Sequence, residues 1–365
     1  MTLITLTLAV ILLIVLVFWF GGLWLARGED LTVHDHPVDP DAGGTVDSQA
    51  GASPEHGQAE AEIRAAGVKV KGMSRKQMLL FTRQFMEDMS RGKSFNCEFV
   101  PVDAGGVPAE WVLAPGVDPT RRVLYIHGGA FIAGNPGTHR SITSRFSEAA
   151  NAAVLAIDYR LMPEHPRRKG IEDCKTAYRW LIENGPAGSE PPARIFMGGD
   201  SAGGNLSLVL SGWIRDEKLR RPDAIVALSP LTDSTYSGPS IRDNLPTDTM
   251  LGPLFGALTK IPKPILSWIF FLENRIRQSD PLVSPVFAEL SNLPPTLLQV
   301  SEAEMLFDDA RRYVNKARAA GSPAFLQSWP GLLHVWQIFY PEVPEAREAW
   351  EQVDTFLKRV ETETS

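Results

Sequence analysis

Beyond about residue 70, short apolar runs that predict β-strands alternate with longer stretches whose apolar spacing predicts helices. The strand candidates cover residues 97–102, 110–113, 122–126, 153–158, 194–197, 224–228, 296–300 and 324–328. Strands that alternate with helices are typical of a mostly parallel sheet covered by helices on both faces. The pattern therefore predicts an α/β fold with an eight-stranded sheet.

Two segments do not fit this alternation. Residues 74–91 form an amphipathic helical pattern before the first strand, and residues 232–292 separate two strands by far more than an ordinary crossover. The second segment contains many large apolar residues, namely Leu251, Leu254, Phe255, Leu258, Ile261, Ile265, Leu266, Trp268, Ile269, Phe270 and Phe271. We expect residues 68–93 and 232–292 to form a helical cap over the sheet. These apolar residues would form either the core of the cap or a wall facing the substrate.

The N-terminal segment has a different pattern. No residue from Thr2 to Ala26 is charged, and this run is as long as the roughly 20 residues a helix needs to cross hydrocarbon. We interpret residues 1–27 as a retained transmembrane anchor. The alternatives are a cleaved signal peptide, which should carry a basic stretch before a shorter apolar core, and a buried helix. Arg27 is the one basic residue near the run, so the side of the membrane stays open.

Residues 28–67 have few large apolar side chains and are rich in Pro, Gly, Asp, Ser and Ala. Nine acidic residues and no Lys or Arg lie between positions 28 and 63. Such a composition buries too little surface to offset the entropy lost on ordering, so it predicts a disordered acidic linker that contains solvated His34, His36 and His56. We therefore expect a fragment that lacks residues 1–63 to be soluble and active.

Composition limits the function classes. The chain has 365 residues, 44% of them hydrophobic, so it can bury a large core, and its formal net charge of −7 argues against nucleic acid as a partner. Cys97 and Cys174 stand in no CxxC or Cys/His pattern. Neither a disulfide framework nor a zinc site is expected.

The sequence Gly199-Asp200-Ser201-Ala202-Gly203 follows a predicted strand and precedes a helical pattern. A G-x-S-x-G in this context is typical of a sharp turn that exposes a nucleophilic serine above a sheet. We predict that Ser201 is the nucleophile.

A serine that attacks a carbonyl needs donors for the oxyanion. The sequence His127-Gly128-Gly129-Ala130-Phe131 follows the strand at 122–126 and supplies glycine amides that can approach a ligand closely. We predict an oxyanion hole formed by the amides of Gly128, Gly129 and Ala202. His127 is expected to order this loop and not to transfer protons.

His334 is the sole histidine after Ser201, so it is the predicted base in the order Ser, acid, His. His139 and His165 precede the serine and are expected to be structural. The acid should follow the strand at 296–300. The four carboxylates that compete for this role are Glu302, Glu304, Asp308 and Asp309.

Together these motifs and residues 158–166, which read DYRLMPEHP, resemble the bacterial hormone-sensitive-lipase-like esterases of the α/β-hydrolase superfamily. The resemblance extends from about residue 70 to the end. In that family the acid stands in a D-x-L-x-D pattern, and here the same frame reads Glu304-Met305-Leu306-Phe307-Asp308. The resemblance implies that Glu304 is the acid, with Asp308 and Glu302 as alternatives. It also implies a cap in the two segments predicted above. Val335-Trp336 replaces the common Gly-Phe after the histidine.

The predicted activity is therefore serine carboxylesterase action on short- to medium-chain esters, with no metal or organic cofactor. A lipase, a deacetylase of sugars or small molecules, an amidase and a noncatalytic small-molecule receptor are the rival functions. The expected partners are an ester substrate and the membrane. A homodimer is left open.

Overall fold

The computed structural model describes residues 3–46 and 52–364. Its main feature is a nine-stranded sheet in the order β1-β9-β8-β7-β6-β4-β5-β3-β2. The strands are β1 (Gly43–Thr45), β2 (Glu98–Asp103), β3 (Pro108–Leu113), β4 (Asp118–Ile126), β5 (Ala152–Ile157), β6 (Arg194–Asp200), β7 (Ala224–Leu228), β8 (Thr296–Ser301) and β9 (Ala324–Trp329). β3 pairs antiparallel with β2 and β5, and the remaining neighbours are parallel.

All eight predicted strands are present, and β1 adds a ninth at the edge beside β9. A separate hairpin pairs Asn184–Gly185 with Gly188–Ser189. The helices are α1 (Leu3–Ala26), α2 (Pro54–Val70), α3 (Arg75–Ser90), α4 (Arg140–Ala150), α5 (Arg167–Leu181), α6 (Ala202–Asp216), α7 (Ser240–Asp243), α8 (Leu251–Phe255), α9 (Lys263–Asn274), α10 (Phe307–Ala319) and α11 (Pro344–Thr364). Short 3₁₀ helices cover Leu31–His34, Pro40–Ala42, Pro136–His139, Gly256–Lys260, Pro285–Phe287 and Trp336–Phe339.

The central strands are buried on both faces. Along β4, Leu124 and Ile126 join a core with α5 and α6, whereas Val123 and Tyr125 join a core with α4 and α11. Side chains of a strand alternate between faces, so one strand contributes to both cores. This explains why the predicted strands read as continuous apolar runs.

The structure corrects the predicted disordered linker at residues 28–46. Leu31 and Ala42 are buried, and β1 pairs with β9. Asp35 accepts two hydrogen bonds from the Arg312 guanidinium, at 2.6 and 2.7 Å. A few apolar contacts and one bidentate ion pair therefore order a segment whose average composition indicated disorder.

Helix α2 corrects that prediction over residues 54–67, whereas residues 47–51 of the predicted linker lie outside the part of the chain that the structure describes. His56 is 2% exposed, and its Nε2 accepts a hydrogen bond of 3.0 Å from the Leu333 amide, immediately before His334. Ala59 and Ile63 pack in a core with Trp336. His56 is therefore not a solvated linker residue. A fragment that begins at residue 64 would lose contacts that support the loop of the predicted base.

The two segments predicted to form a cap contain α3 and α7 to α9. Arg83 of α3 donates to the carbonyls of Ile132 and Met162 and forms an ion pair with Glu164. The described part of the chain contains one stretch, Ile4–His34, that is long and apolar enough to cross a membrane, and an 18-residue window within it has a mean hydropathy of 2.8. Most of the side chains of α1 within this stretch are exposed.

Candidate active site

Ser201 lies in the sharp turn that the G-x-S-x-G pattern predicts. β6 ends at Asp200, α6 begins at Ala202, and Ser201 between them has φ 50° and ψ −112°. A Cβ at Gly203 would clash with the carbonyl oxygen of Ile126, so glycine is required for strand and helix to approach this closely. A serine held with positive φ carries backbone strain of about 1–3 kcal/mol, and this strain is concentrated at functional sites.

His334 and Glu304 form a buried pair. The His334 Nδ1 atom lies 2.5 Å from Glu304 Oε2, and the two side chains are 4% and 1% exposed. The other oxygen of Glu304 accepts hydrogen bonds from the Ser301 amide at 2.8 Å and the Ser229 hydroxyl at 2.7 Å. Both carboxylate oxygens are therefore held, and the imidazole ring is oriented by one of them.

Ser229 connects the end of strand β7, beside Ser201, to Glu304 and to the loop of His334. The amide of Ser201 donates to the carbonyl of Leu228, the last residue of β7, and Ser229 follows it. The hydroxyl of Ser229 contacts Glu304 and accepts a hydrogen bond from the Val335 amide at 3.2 Å. Among the described residues no hydrogen bond joins Ser201 Oγ to the His334 ring. The predicted proton transfer from Ser201 to His334 would require these side chains to approach each other, as is common when substrate binds.

The other three candidate acids are engaged elsewhere. Glu302 accepts hydrogen bonds from the hydroxyls of Thr45 and Ser328, at 2.7 and 2.8 Å. Its carboxylate therefore joins β1 to β9. This contact depends on the part of the chain that we predicted to be disordered.

Asp308 and Asp309 hold the start of the 232–292 insertion. Asp308 accepts from the Ser240 amide at 2.7 Å and pairs with Arg311. Asp309 accepts from the amides of Thr232 and Asp233, at 2.6 and 2.8 Å. Of the four candidate carboxylates, Glu304 is the one in contact with His334.

The glycine loop differs from the prediction at Gly128. The Gly128 amide donates to Asp200 Oδ1 at 2.9 Å, so it is not available to an oxyanion. No described residue accepts a hydrogen bond from the amides of Gly129, Ala130 or Ala202. Gly129 and Ala130 both have positive φ, of 108° and 55°. The structure therefore removes Gly128 from the predicted set of donors.

Asp200 is a structural residue that the sequence did not single out, although it stands inside the nucleophile motif. Its carboxylate also accepts from the Tyr125 hydroxyl at 2.5 Å, and His139 Nε2 lies 3.4 Å away. Burial alone would raise the pKa of Asp200, but His139 and the Tyr125 hydroxyl hold the pKa below its usual value. The Asp200 carboxylate thus links β4 and β6 to the amide of Gly128.

His127 lies in the same buried layer. Its ring stacks on Tyr159 with centroids 4.3 Å apart, and its Nδ1 lies 2.7 Å from the Gly128 carbonyl oxygen. Burial, with the nearby His139, lowers the pKa of His127 to about 3. This neutral, packed ring agrees with the expectation that His127 orders the loop.

Two residues of the 232–292 insertion form hydrogen bonds with the loop that carries Glu304. The Asn244 amide group donates to the carbonyls of Glu302 and Glu304, and Asp248 Oδ2 accepts from the Met305 amide at 2.9 Å.

Asp248 also affects the pKa of His334, the predicted base. Burial would lower the pKa of His334, but Glu304, and to a smaller extent Asp248, raise this pKa above the usual 6.5. The sequence offered no signal for Asn244 or Asp248 beyond their place in the insertion.

Known proteins are similar to this chain in sequence and fold. Residues 123–338 match the family described as having the α/β hydrolase fold. The chain belongs to the α/β-hydrolase fold family. It is 37% identical over 257 residues to an acetyl-hydrolase of Streptomyces hygroscopicus, an alignment that covers 70% of this chain and 81% of that protein. It is also 37% identical over 267 residues to the carboxylesterase/phospholipase LipF of Mycobacterium tuberculosis, covering 70% and 68%.

Solved structures of esterases agree with these relatives. An esterase from the bacterial hormone-sensitive lipase family superposes with a TM-score of 0.72 at 36% identity, covering 84% of this chain and 98% of that one. An esterase/lipase from an uncultured bacterium gives the same TM-score at 32% identity and covers 85% and 99%. The predicted hormone-sensitive-lipase-like family is confirmed, and the α/β hydrolase is a carboxylic ester hydrolase. Its described residues contain no cluster of three or more His, Cys, Asp or Glu side chains placed to hold a metal ion.

Proposed function

We propose that this α/β hydrolase cleaves carboxylic esters through a triad of Ser201, His334 and Glu304. His334 accepts the proton of Ser201 as the hydroxyl attacks the ester carbonyl, and it then protonates the leaving alcohol. Water enters and releases the acid from the acyl-enzyme by the same two proton transfers. Glu304 holds the ring with Nε2 toward the serine and stabilises the imidazolium.

The observation that carries this proposal is the 2.5 Å contact between His334 Nδ1 and Glu304 Oε2. Ser229, which directly follows strand β7 beside Ser201, donates a hydrogen bond to the same Glu304 carboxylate. A carboxylate in this contact keeps the proton on Nδ1 and leaves Nε2 free to act as a base.

The oxyanion is proposed to bind the amides of Gly129, Ala130 and Ala202. These three amides have no acceptor among the described residues, whereas that of Gly128 is bonded to Asp200. Removing one such donor typically costs about 3–4 kcal/mol of transition-state stabilisation. The role of Gly128 in this proposal is to fix the loop through Asp200.

Short- to medium-chain esters are the proposed substrates. Relatives are named carboxylesterase and acetyl-hydrolase, so acetyl esters of small molecules form the second candidate class. Rates on esters of increasing acyl length, with acetylated sugars in parallel, separate these two classes. A rate that peaks on long acyl chains would instead indicate a lipase.

The α1 helix is proposed to be retained as a membrane anchor. Leu25 is 3% exposed against the rest of the chain, and a Cβ at Gly22 would clash with the carbonyl oxygen of Pro264. A signal peptide that is removed needs no such fit to the mature protein. N-terminal sequencing of the membrane fraction, after a wash in alkali, tests this: a mature chain that begins after residue 26 contradicts the anchor.

The triad is tested with Ser201→Ala, His334→Ala and the double variant, assayed on a soluble chromogenic ester. Each single change should remove nearly all turnover, and the double change should add little because triad members act as a unit. Ser189→Ala and His165→Ala are matched controls at exposed positions and should keep wild-type rates. Near wild-type turnover by Ser201→Ala would overturn the assignment.

A further inference from the structure

Helix α1 makes a close contact with helix α9 of the insertion. The Trp268 indole donates a hydrogen bond of 2.7 Å to the Phe18 carbonyl, and the two rings stack with centroids 5.4 Å apart. Gly21 and Gly22 permit this approach, since a Cβ at Gly21 would lie 2.9 Å from the Trp268 ring. Small residues at a tight helix contact are characteristic of helix pairs in lipid.

Residues after α9 also donate hydrogen bonds to carbonyls at the C-terminal end of α1. Arg277 donates to the carbonyls of Trp24 and Arg27, at 2.9 and 2.7 Å, and the Ser279 hydroxyl donates to Arg27 at 2.7 Å. Carbonyls at the end of a helix have no partner within that helix, so these bonds hold α1 in a defined position. The location of α1 therefore determines the location of α9.

The side chains of α9 are arranged in the opposite way to those of a helix on a water-exposed surface. Between Lys263 and Glu273 no residue is charged. Polar Ser267 is 1% exposed on the inner side, whereas Ile265 and Leu272 are 38% and 55% exposed. A helix of a water-soluble surface buries its apolar stripe and exposes its polar one. The outer side of α9 is suited to an apolar surrounding.

The lengths of the helices agree with immersion in lipid. The 24 residues of α1 span about 36 Å, which exceeds a hydrocarbon core of about 30 Å by about 6 Å. We place this excess at the C-terminal end of α1, directly before Arg27, which is the first charged residue. Phe18 then lies about 6 Å inside the boundary of the hydrocarbon core. Trp268 contacts Phe18, so α9 reaches a depth typical of interfacial helices, about 5–10 Å.

We propose that α9 is a second membrane contact of this protein, with Ile265 and Leu272 inserted among the acyl chains of a phospholipid bilayer. This inference rests on the proposed retention of α1 as an anchor. The insertion that contains α9 also holds the Glu304 loop through Asn244 and Asp248. In this proposal the same insertion contacts both the bilayer and the loop of Glu304, which favours amphiphilic esters supplied from the bilayer.

The test uses the full chain in phospholipid vesicles, with the partly exposed Cys97 changed to serine and one cysteine introduced for an environment-sensitive fluorophore. Ile265→Cys and Leu272→Cys report on α9, and Leu13→Cys reports on α1. Val100→Cys is the matched control, because Val100 is 36% exposed on β2 at the opposite edge of the sheet from β1. Lipids with nitroxide at shallow or deep positions and aqueous iodide are the quenchers.

Labels at 265 and 272 should be quenched by the shallow nitroxide and shielded from iodide. The label at 13 should be quenched by the deep nitroxide, and the label at 100 should be quenched by iodide. Iodide quenching at 265 and 272, with lipid quenching at 13, overturns the α9 contact and leaves the anchor. Iodide quenching at 13 refutes the anchor itself. Shielding of 265 and 272 from every quencher would mean that protein, such as a second copy, covers α9, and it also overturns the proposal.

Activity provides a second readout. Leu272→Glu places a charge on the outer side of α9, and it should lower the rate on a long-chain ester dissolved in vesicles while leaving the rate on a soluble short-chain ester unchanged. Val100→Glu should change neither rate. Equal rates of Leu272→Glu and the wild type on the vesicle ester would count against supply from the bilayer.

Discussion

Replacing Glu304 by glutamine tests how the buried acid acts on His334. The change keeps the size of the side chain and removes the charge. In the native site one oxygen accepts from the Ser301 amide, a backbone donor that cannot be rotated away. The glutamine oxygen must take that position, so its NH₂ group faces His334 Nδ1. The ring then accepts on Nδ1 and carries its proton on Nε2.

An imidazole with its proton on Nε2 cannot take the proton of Ser201. The same tautomer error, produced by replacing the acid of a serine-protease triad with its amide, lowers kcat by about 10⁴. We therefore expect Glu304→Gln to lose three to four orders of magnitude in kcat, or about 4–5.5 kcal/mol of barrier. The pKa of His334 should also fall, because the charge of Glu304 raises this pKa more than that of Asp248 does.

The assay is steady-state hydrolysis of a soluble chromogenic ester across pH, with thermal unfolding measured in parallel. Glu302→Gln and Asp308→Asn are the matched controls, since each removes a carboxylate charge within a few positions of Glu304 at a side chain that does not contact His334. Both variants should stay near the wild-type rate. If Asp308→Asn were the more damaging change, or if Glu304→Gln kept more than about a tenth of the native kcat, the proposed role of Glu304 would be refuted.

Three further changes follow from the contacts around the site. Asp248→Asn should move the acid limb of kcat/KM to lower pH, because the native limb follows a His334 pKa above 6.5 and Asp248 helps to raise it; an unmoved or higher limb argues against this coupling. A chain that begins at residue 64 should have a lower Tm and kcat than one that begins at residue 28, since it lacks the hydrogen bond of His56 to the loop of the base; equal values would show that α2 is dispensable. Tyr125→Phe should destabilise the fold by about 1–3 kcal/mol in urea unfolding, because it removes a buried donor to Asp200, and an unchanged midpoint would contradict this.

The contacts of the predicted linker show where reasoning from composition failed. Asp35 and Arg312 are separated by 277 positions, as are His56 and Leu333. Neither pair leaves a periodic pattern in the sequence, and each partner taken alone is an ordinary polar residue. A polar segment can be ordered by a few such long-range contacts, because one bidentate ion pair or one buried hydrogen bond holds several neighbouring residues.

Local backbone chemistry determined the parts of the protein that the sequence alone predicted. The strands follow from continuous apolar runs, and the turn at Ser201 follows from glycines that only a tight strand-to-helix bend requires. Both signals lie within a few residues of the feature that they encode. His334 was predicted to be the base by elimination, which also needs no geometry.

Tertiary structure decided which groups meet. Residue types alone left four carboxylates as candidates for the acid. Glu304 was favoured only by resemblance to the D-x-L-x-D pattern of the family. Only the fold brings Glu304 to His334 and turns Glu302 toward β1. It also directs the Gly128 amide to Asp200 and away from the oxyanion position. Each of these outcomes depends on the direction of one hydrogen bond between distant segments. Residue type does not encode that direction, because a carboxylate accepts equally well from any donor that the fold places beside it.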